Sequence, residues 1–302
     1  MKNRILQIEI TALLLILVGC SKENGIIPAV ESTPIASVSK NTTPLIPSSS
    51  NEIIPWGVAR IGGGINATDK TAWIIDSGIE LTHPDLNVDL LRSISFVENN
   101  PSPTDEYGHG TNVAGIIAAI KGNEIGVVGV AAGAKVVSVR VLDKNGNGTI
   151  AAMLAGIEYV STNGRAGDVA NISFEVGSCT AIDEAVLAAS LKGIRFVIAA
   201  GNGAVKVSSS PARINGANIY TVAAMDQQDR FASFSNFGTT IVDYCAPGVD
   251  IYSTAIGGGY SMMSGTSMAA PHLAGLLLIG TIQSCGNAKE DPEGLGEPIA
   301  HH

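Results

Sequence analysis

Three short segments, far apart in a chain of 302 residues, hold side chains that could together activate a nucleophile. Asp76 closes an apolar run in Ile75-Asp76-Ser77-Gly78, and His109 sits between glycines in Gly108-His109-Gly110-Thr111. Ser267 lies in the small-residue turn Ser264-Gly265-Thr266-Ser267-Met268-Ala269-Ala270-Pro271. Taken singly, each has an ordinary reading: a strand-end carboxylate capping a turn, a structural histidine, a serine at a helix N-cap. Taken together, they supply the parts of a nucleophilic hydrolase. A serine hydroxyl is a poor nucleophile until a neutral imidazole takes its proton, and the imidazole needs a carboxylate to fix its tautomer and stabilise its charged form. The apolar stretch after Ser267 reads as a helix, whose free N-terminal N–H groups suit a developing anion.

Such side chains must meet at one rim of a frame. Runs rich in Val and Ile over residues 71–76, 135–142, 168–174, 194–200 and 219–224 read as buried strands, with helices over 109–120, 149–160 and 181–192 between them. This alternation predicts an α/β fold: one catalytic domain with a mainly parallel central sheet and helices on both faces. In such sheets the chemistry sits at the carboxyl ends of the strands, where Asp76 falls.

The balance of 18 basic and 27 acidic residues, a net charge of −9, argues against a nucleic-acid partner, which needs cations to displace phosphate counterions. With 45% apolar and 15% charged residues, the chain can bury a real core. Its front end differs. Lys2 and Arg4 precede a short apolar run over residues 10–18, too short to span a bilayer, so it reads as an export signal. The ending Leu17-Val18-Gly19-Cys20 resembles the lipobox of bacterial lipoproteins, which implies removal of residues 1–19 and lipid on Cys20; an ordinary secretory signal with an incidental cysteine is the alternative. Residues 20–50, rich in Ser, Thr, Pro and Asn, read as a tether that spans on the order of 30 Å as a random coil. Of the three cysteines beyond Cys20, Cys179, Cys245 and Cys285, neither spacing nor pattern points to a disulfide or zinc framework, and a buried reduced thiol suits Cys245.

The chain order Asp, His, Ser is that of subtilisin. From about residue 51 to residue 283 the chain resembles the subtilisin-like serine peptidases (subtilases), most specifically around Ser267. The resemblance implies a serine endopeptidase over residues 51–302, acting on extended polypeptides outside the cytoplasm, in the cell envelope and lipid-anchored to a membrane through Cys20. In it Ser267 attacks, His109 acts as base and then acid, and Asp76 orients His109. Asn202, in Ala199-Ala200-Gly201-Asn202, donates its amide to the oxyanion beside the Ser267 N–H. No redox or organic cofactor is implied. A peptide-binding pseudoenzyme using the same groove is the alternative, and the presence of all four residue types argues against it.

The resemblance also places substrate and metal. Gly146-Asn147-Gly148 and Ser173-Phe174-Glu175 match the two edges between which a peptide adds a strand. Ala199, Ala200 and Gly201 would form one wall of the S1 pocket and Ser173 to Glu175 the other. Leu142, Ile150 and Phe174 would make an apolar S4 pocket, or simply pack in the core. The loop over residues 120–127 resembles the family's strong calcium loop. Side chains of Glu52, Asp85 and Asn123, with carbonyls of Ile120, Ile125 and Val127, would supply the oxygen ligands that Ca²⁺ prefers; a solvated turn without metal is the alternative.

Three departures stand out. Asn112 replaces a second histidine, Glu175 and Val176 replace glycines, and residues 21–50 leave no room for a folding propeptide, which implies unaided folding or a separate helper. The Glu175 side chain is expected to turn outward into water, where an exposed pair is worth about 0–1 kcal/mol. Held instead inside the groove, it would favour a cationic side chain at P1 or a nearby subsite.

Overall fold

The computed structural model describes residues 52–280 and 282–302; Cys20, its signal and the tether lie outside the described residues. The Val- and Ile-rich runs form strands Thr71–Asp76, Lys135–Arg140, Val169–Ile172, Arg195–Ala199 and Ile219–Met225, within about two residues of the expected bounds. They stand at the centre of a ten-stranded sheet. Lys135–Arg140 and Val169–Ile172 flank Thr71–Asp76, followed outward from the latter by Arg195–Ala199, Ile219–Met225 and Tyr244–Pro247, all parallel. The Lys135 strand stops two residues short of Leu142. Val141 and Leu142 both donate to the Asp76 carbonyl, and the chain then folds back so that Leu142 pairs with Gly148.

Side-chain alternation along each strand fills two cores. Ala72, Ile74, Val136, Val197 and Val222 face helices His109–Ala118 and Thr266–Ile279. Trp73, Ile75, Val137, Ile172 and Phe196 face helices Ile150–Asn163 and Thr180–Ser190 on the other side. The Ser267 helix is buried from Thr266 to Leu278, so its apolar residues need no periodicity. It packs against the His109 helix and across strands Val169–Ile172, Arg195–Ala199 and Ile219–Met225.

The chain's last strands were not anticipated. Pro298–His301 adds in parallel to Tyr244–Pro247, and Gln283–Asn287, exposed throughout, pairs antiparallel with it at the sheet's edge. Cys245 is a free thiol, fully buried, its pKa pushed well up by burial; Cys285 is free and exposed.

Candidate active site

Asp76 ends its strand fully buried, and both its oxygens face the His109 ring: Nδ1 lies 2.8 Å from Oδ1 and 3.0 Å from Oδ2. The Ser77 N–H also donates to Oδ1, at 2.7 Å. A carboxylate can only accept, so Nδ1 carries the proton and Nε2 is the basic nitrogen. The close approach needs glycine. A Cβ at Gly110 would collide with the Gly78 carbonyl, and Gly108 turns into the helix at φ +104°, a conformation that disfavours a side chain.

Asp105, which the sequence reading missed, ties these two segments together. One oxygen accepts from Ser77 Oγ at 2.9 Å, Tyr107 N at 2.9 Å and Gly108 N at 2.8 Å. The other accepts from Thr111 N at 2.9 Å and Thr111 Oγ1 at 2.7 Å. Ser77 Oγ in turn accepts from Gly110 N at 3.0 Å, so the Asp76 turn and the first turn of the His109 helix share one polar network. Burial pushes the Asp105 pKa up despite these donors, and the nearby Asp76 adds to the effect. The available signal was an acidic residue just before a helix start.

Ser267 sits in the first turn of its helix, 4% exposed. Pro271 has no N–H with which to satisfy the Ser267 carbonyl four residues earlier. Ser173 Oγ does so instead, at 3.1 Å, while Ser267 Oγ donates to the Ser173 carbonyl at 3.1 Å. Asn171 Nδ2 donates to Ser173 Oγ at 2.8 Å, so the strand end Val169–Ile172 supports the Ser267 turn.

Asn202 Oδ1 accepts from Thr266 N at 2.8 Å and Thr266 Oγ1 at 3.1 Å, and Thr266 Oγ1 also accepts from Gly201 N at 3.1 Å. With its oxygen anchored, the amide presents Nδ2 as the free donor. Asn202 Nδ2 and Ser267 N lie equally far, 3.7 Å, from the position a Cβ would take at Gly265, so the two donors flank one small space. Beside it opens a cleft with Ser173, Phe174 and Glu175 on one side, Ala199, Gly201 and Asn202 on the other, and Ser267 between.

The chain matches the Subtilase family over residues 73–283. The chain belongs to the subtilase family of serine peptidases. It is 42% identical over 229 residues to subtilisin BL of Lederbergia lenta, covering 74% of this chain and 82% of that protein. To the thermophilic serine proteinase of Bacillus sp. strain AK1 it is 43% identical over 215 residues, 71% of this chain but only 52% of that protein's length. A cold-adapted subtilisin-like serine proteinase of known crystal structure superposes with a TM-score of 0.70 at 32% identity, covering 83% of this chain and 98% of that one.

Within this subtilase, the remaining expected residues divide. Ala200 does not line the cleft. It lies just past the strand Arg195–Ala199, fully buried in one cluster with Ala223 and Met225, and its carbonyl accepts from Asn236 Nδ2 at 2.9 Å. Gly146, Asn147 and Gly148 form a turn in which Asp143 takes up both the N–H and the C=O of Asn147, while the backbone of Gly148 is not used by the turn. Leu142, Ile150 and Phe174 share one apolar cluster, and of the three only Phe174 also lines the cleft. Asn112 is buried, donating to the Thr254 carbonyl at 3.2 Å, with its Oδ1 unpartnered among the described residues.

Glu175 overturns the expectation of an outward, solvated side chain. It is partly buried, its Oε2 accepts from Ser209 Oγ at 2.5 Å, and it crowds Gly201 so closely that a Cβ there would meet the carboxylate. Gly201, at φ +100°, provides the space. Burial raises the Glu175 pKa, partly offset by the Ser209 hydrogen bond.

At the expected metal loop, Asp85 is fully buried and held by neutral donors: Asn123 Nδ2 at 2.7 Å, Val127 N at 3.0 Å and Tyr260 OH at 3.2 Å. Burial pushes its pKa up. Glu52 reaches the same loop, accepting from the N–H groups of Gly122 and Asn123. Asp85, buried, and Glu52 both reach this loop, and carboxylate oxygens of this kind suit a hard cation. The described residues hold no cluster of three or more His, Cys, Asp or Glu, so carbonyl and amide oxygens would complete the set.

Proposed function

We propose that the chain works as a serine endopeptidase on extended polypeptides, outside the cytoplasm. The observation that carries this reading is the His109 ring held at Nδ1 by both oxygens of a fully buried Asp76, a tautomer in which Nε2 is the nitrogen that would take the Ser267 proton. Ser267 Oγ then attacks the scissile carbonyl. The tetrahedral oxyanion forms between Asn202 Nδ2 and the Ser267 N–H, donors fixed before the reaction by Thr266 and by the helix itself. Removing such a side-chain donor costs about 10²–10³ in kcat, a figure taken from subtilisin itself and not from this chain. His109 returns its proton to the leaving amine, and water repeats the sequence on the acyl-enzyme. The peptide lies extended between Gly146 to Gly148 and Ser173 to Glu175, pairing through backbone.

The same reading gives Ca²⁺ to Glu52, Asp85 and Asn123 with the carbonyls of Ile120, Ile125 and Val127, where it would clamp the loop after the His109 helix to residue 52. Lipid on Cys20 would tether the domain to a membrane; its support is the lipobox sequence alone. One experiment tests chemistry and anchor together. A fluorescent phosphonofluoridate should label the wild type in the detergent phase of membrane extracts, leave Ser267→Ala unlabelled and inactive, and follow Cys20→Ser into a different fraction. Peptide hydrolysis by purified Ser267→Ala would refute the mechanism; a fully aqueous, unmodified wild type would refute the anchor.

A further inference from the structure

We infer that Glu175 gives the cleft beside Ser267 an acidic wall that selects a cationic side chain, lysine or arginine, at the substrate's P1 position. The inference deepens the peptidase reading and rests on it. Three observations meet here. Glu175 lines the same cleft as Ser267 and Asn202, and among the described residues it is the only ionisable one that does so. Its carboxylate is partly buried, with Oε2 pinned by Ser209 Oγ at 2.5 Å, so the group is held in place and not swept through solvent. Among the described residues nothing cationic compensates it: Ser209 is the one partner that opposes its desolvation.

The opposite wall explains why a side chain can reach it. Ala199 and Gly201 present almost no bulk, and Gly201 lacks the Cβ that would close the gap to Glu175. A P1 side chain entering between the walls therefore passes the carboxylate, whose Oε1 has no hydrogen-bond partner among the described residues. A partly desolvated carboxylate without a counter-charge is poorly stabilised until a cation arrives. An ammonium or guanidinium supplies that charge, whereas an acidic P1 side chain adds a second like charge in the same space. The pocket's remaining walls, Phe174 and Ala199, suit the aliphatic stem of either residue.

The test compares matched peptides that differ only at P1, lysine against norleucine, its uncharged near-isostere. In the wild type the ratio of kcat/KM, lysine over norleucine, is expected at about tenfold or more, equivalent to about 1.4 kcal/mol. Glu175→Gln keeps the shape and the Ser209 hydrogen bond, and should bring the ratio to within about twofold of one. Because the readout is a ratio, a general loss of activity in the variant cancels. The ratio should also fall at high salt in the wild type and not in the variant. A wild-type ratio near one, or a ratio that survives Glu175→Gln, overturns the inference. Calorimetric binding of the same two peptides to Ser267→Ala reads the pocket without turnover. Discrimination there in the absence of any wild-type hydrolysis would refute the peptidase reading while upholding the acidic wall, and equal binding would refute the wall.

Discussion

His272 should make the stability of this domain depend on acid in a way that one substitution removes. It lies in the Ser267 helix, fully buried, with Nδ1 2.8 Å from the Met268 carbonyl and the Pro247 backbone beside its ring. A Cβ at Gly57 would collide with Nε2, so the space beyond the ring is filled by backbone. A proton on Nε2 would be a charge in a closed, largely apolar site, and burial accordingly lowers the pKa from 6.5 to about 4. The unfolded chain binds a proton below about 6.5, while the native state resists it down to about 4. The contribution is therefore complete above pH 6.5 and is lost as pH falls towards 4. Linkage puts the full loss at about 3 kcal/mol, of which about 2 kcal/mol is gone by pH 5. Against a total stability of about 5–15 kcal/mol, that is easily measured.

The assay is urea denaturation of Ser267→Ala protein, which does not digest itself, at pH 7.5 and 5.0, with and without His272→Leu. Glu297 works the other way, since burial raises its carboxyl from 4.5 to about 7 and acid then favours the native state. That term is common to both proteins and cancels in the difference between them. The His272→Leu protein should lose about 2 kcal/mol less on acidification than its parent, whatever its stability at pH 7.5. Equal losses in the two proteins would refute the argument.

Asp105→Asn should lower both stability and turnover, because an amide presents its N–H₂ to at least two of the five donors now met by oxygen. At about 1.5–3 kcal/mol for each hydrogen bond to a charged group, urea denaturation should report a loss of about 3–6 kcal/mol for two such bonds. A displaced His109 should cost about 10²-fold in kcat/KM; unchanged values of both would show that the network is dispensable. At the metal loop, Ca²⁺ at a hundred times its Kd should add about 2.7 kcal/mol, or roughly 5–10 °C in Tm, which chelation removes and Asp85→Asn abolishes. Identical Tm values with Ca²⁺ and with chelator would leave the loop an ordinary turn.

What the sequence made legible follows from what each feature depends on. The central strands could be read because Val- and Ile-rich runs such as Trp73 to Ile75 are buried on both faces and must be continuously apolar. The candidate triad side chains could be picked out because the proposed reaction admits few residue types, and their glycine neighbours mark where backbones close in. The hairpin partner Gln283–Asn287 could not, since an exposed edge strand carries no hydrophobic alternation to betray it. The supporting polar residues were equally silent. Asp105, Ser77 and Thr266 are ordinary turn residues until the fold brings them within hydrogen-bonding distance of segments 28 to 65 positions away.

Glu175 shows the same limit at the site itself. A charged residue at a groove rim is, on average, solvated, because a free carboxylate loses several kcal/mol of hydration on entering protein. Here the loop bearing Ser209, 34 residues further along, supplies a hydroxyl, and Gly201 supplies room, so the side chain lies along the cleft wall and not in the solvent. Neither residue signals that role in the linear sequence. The direction of a rim side chain is set by partners that only the folded sheet brings together, and for that reason specificity is the part of this enzyme least visible before its structure.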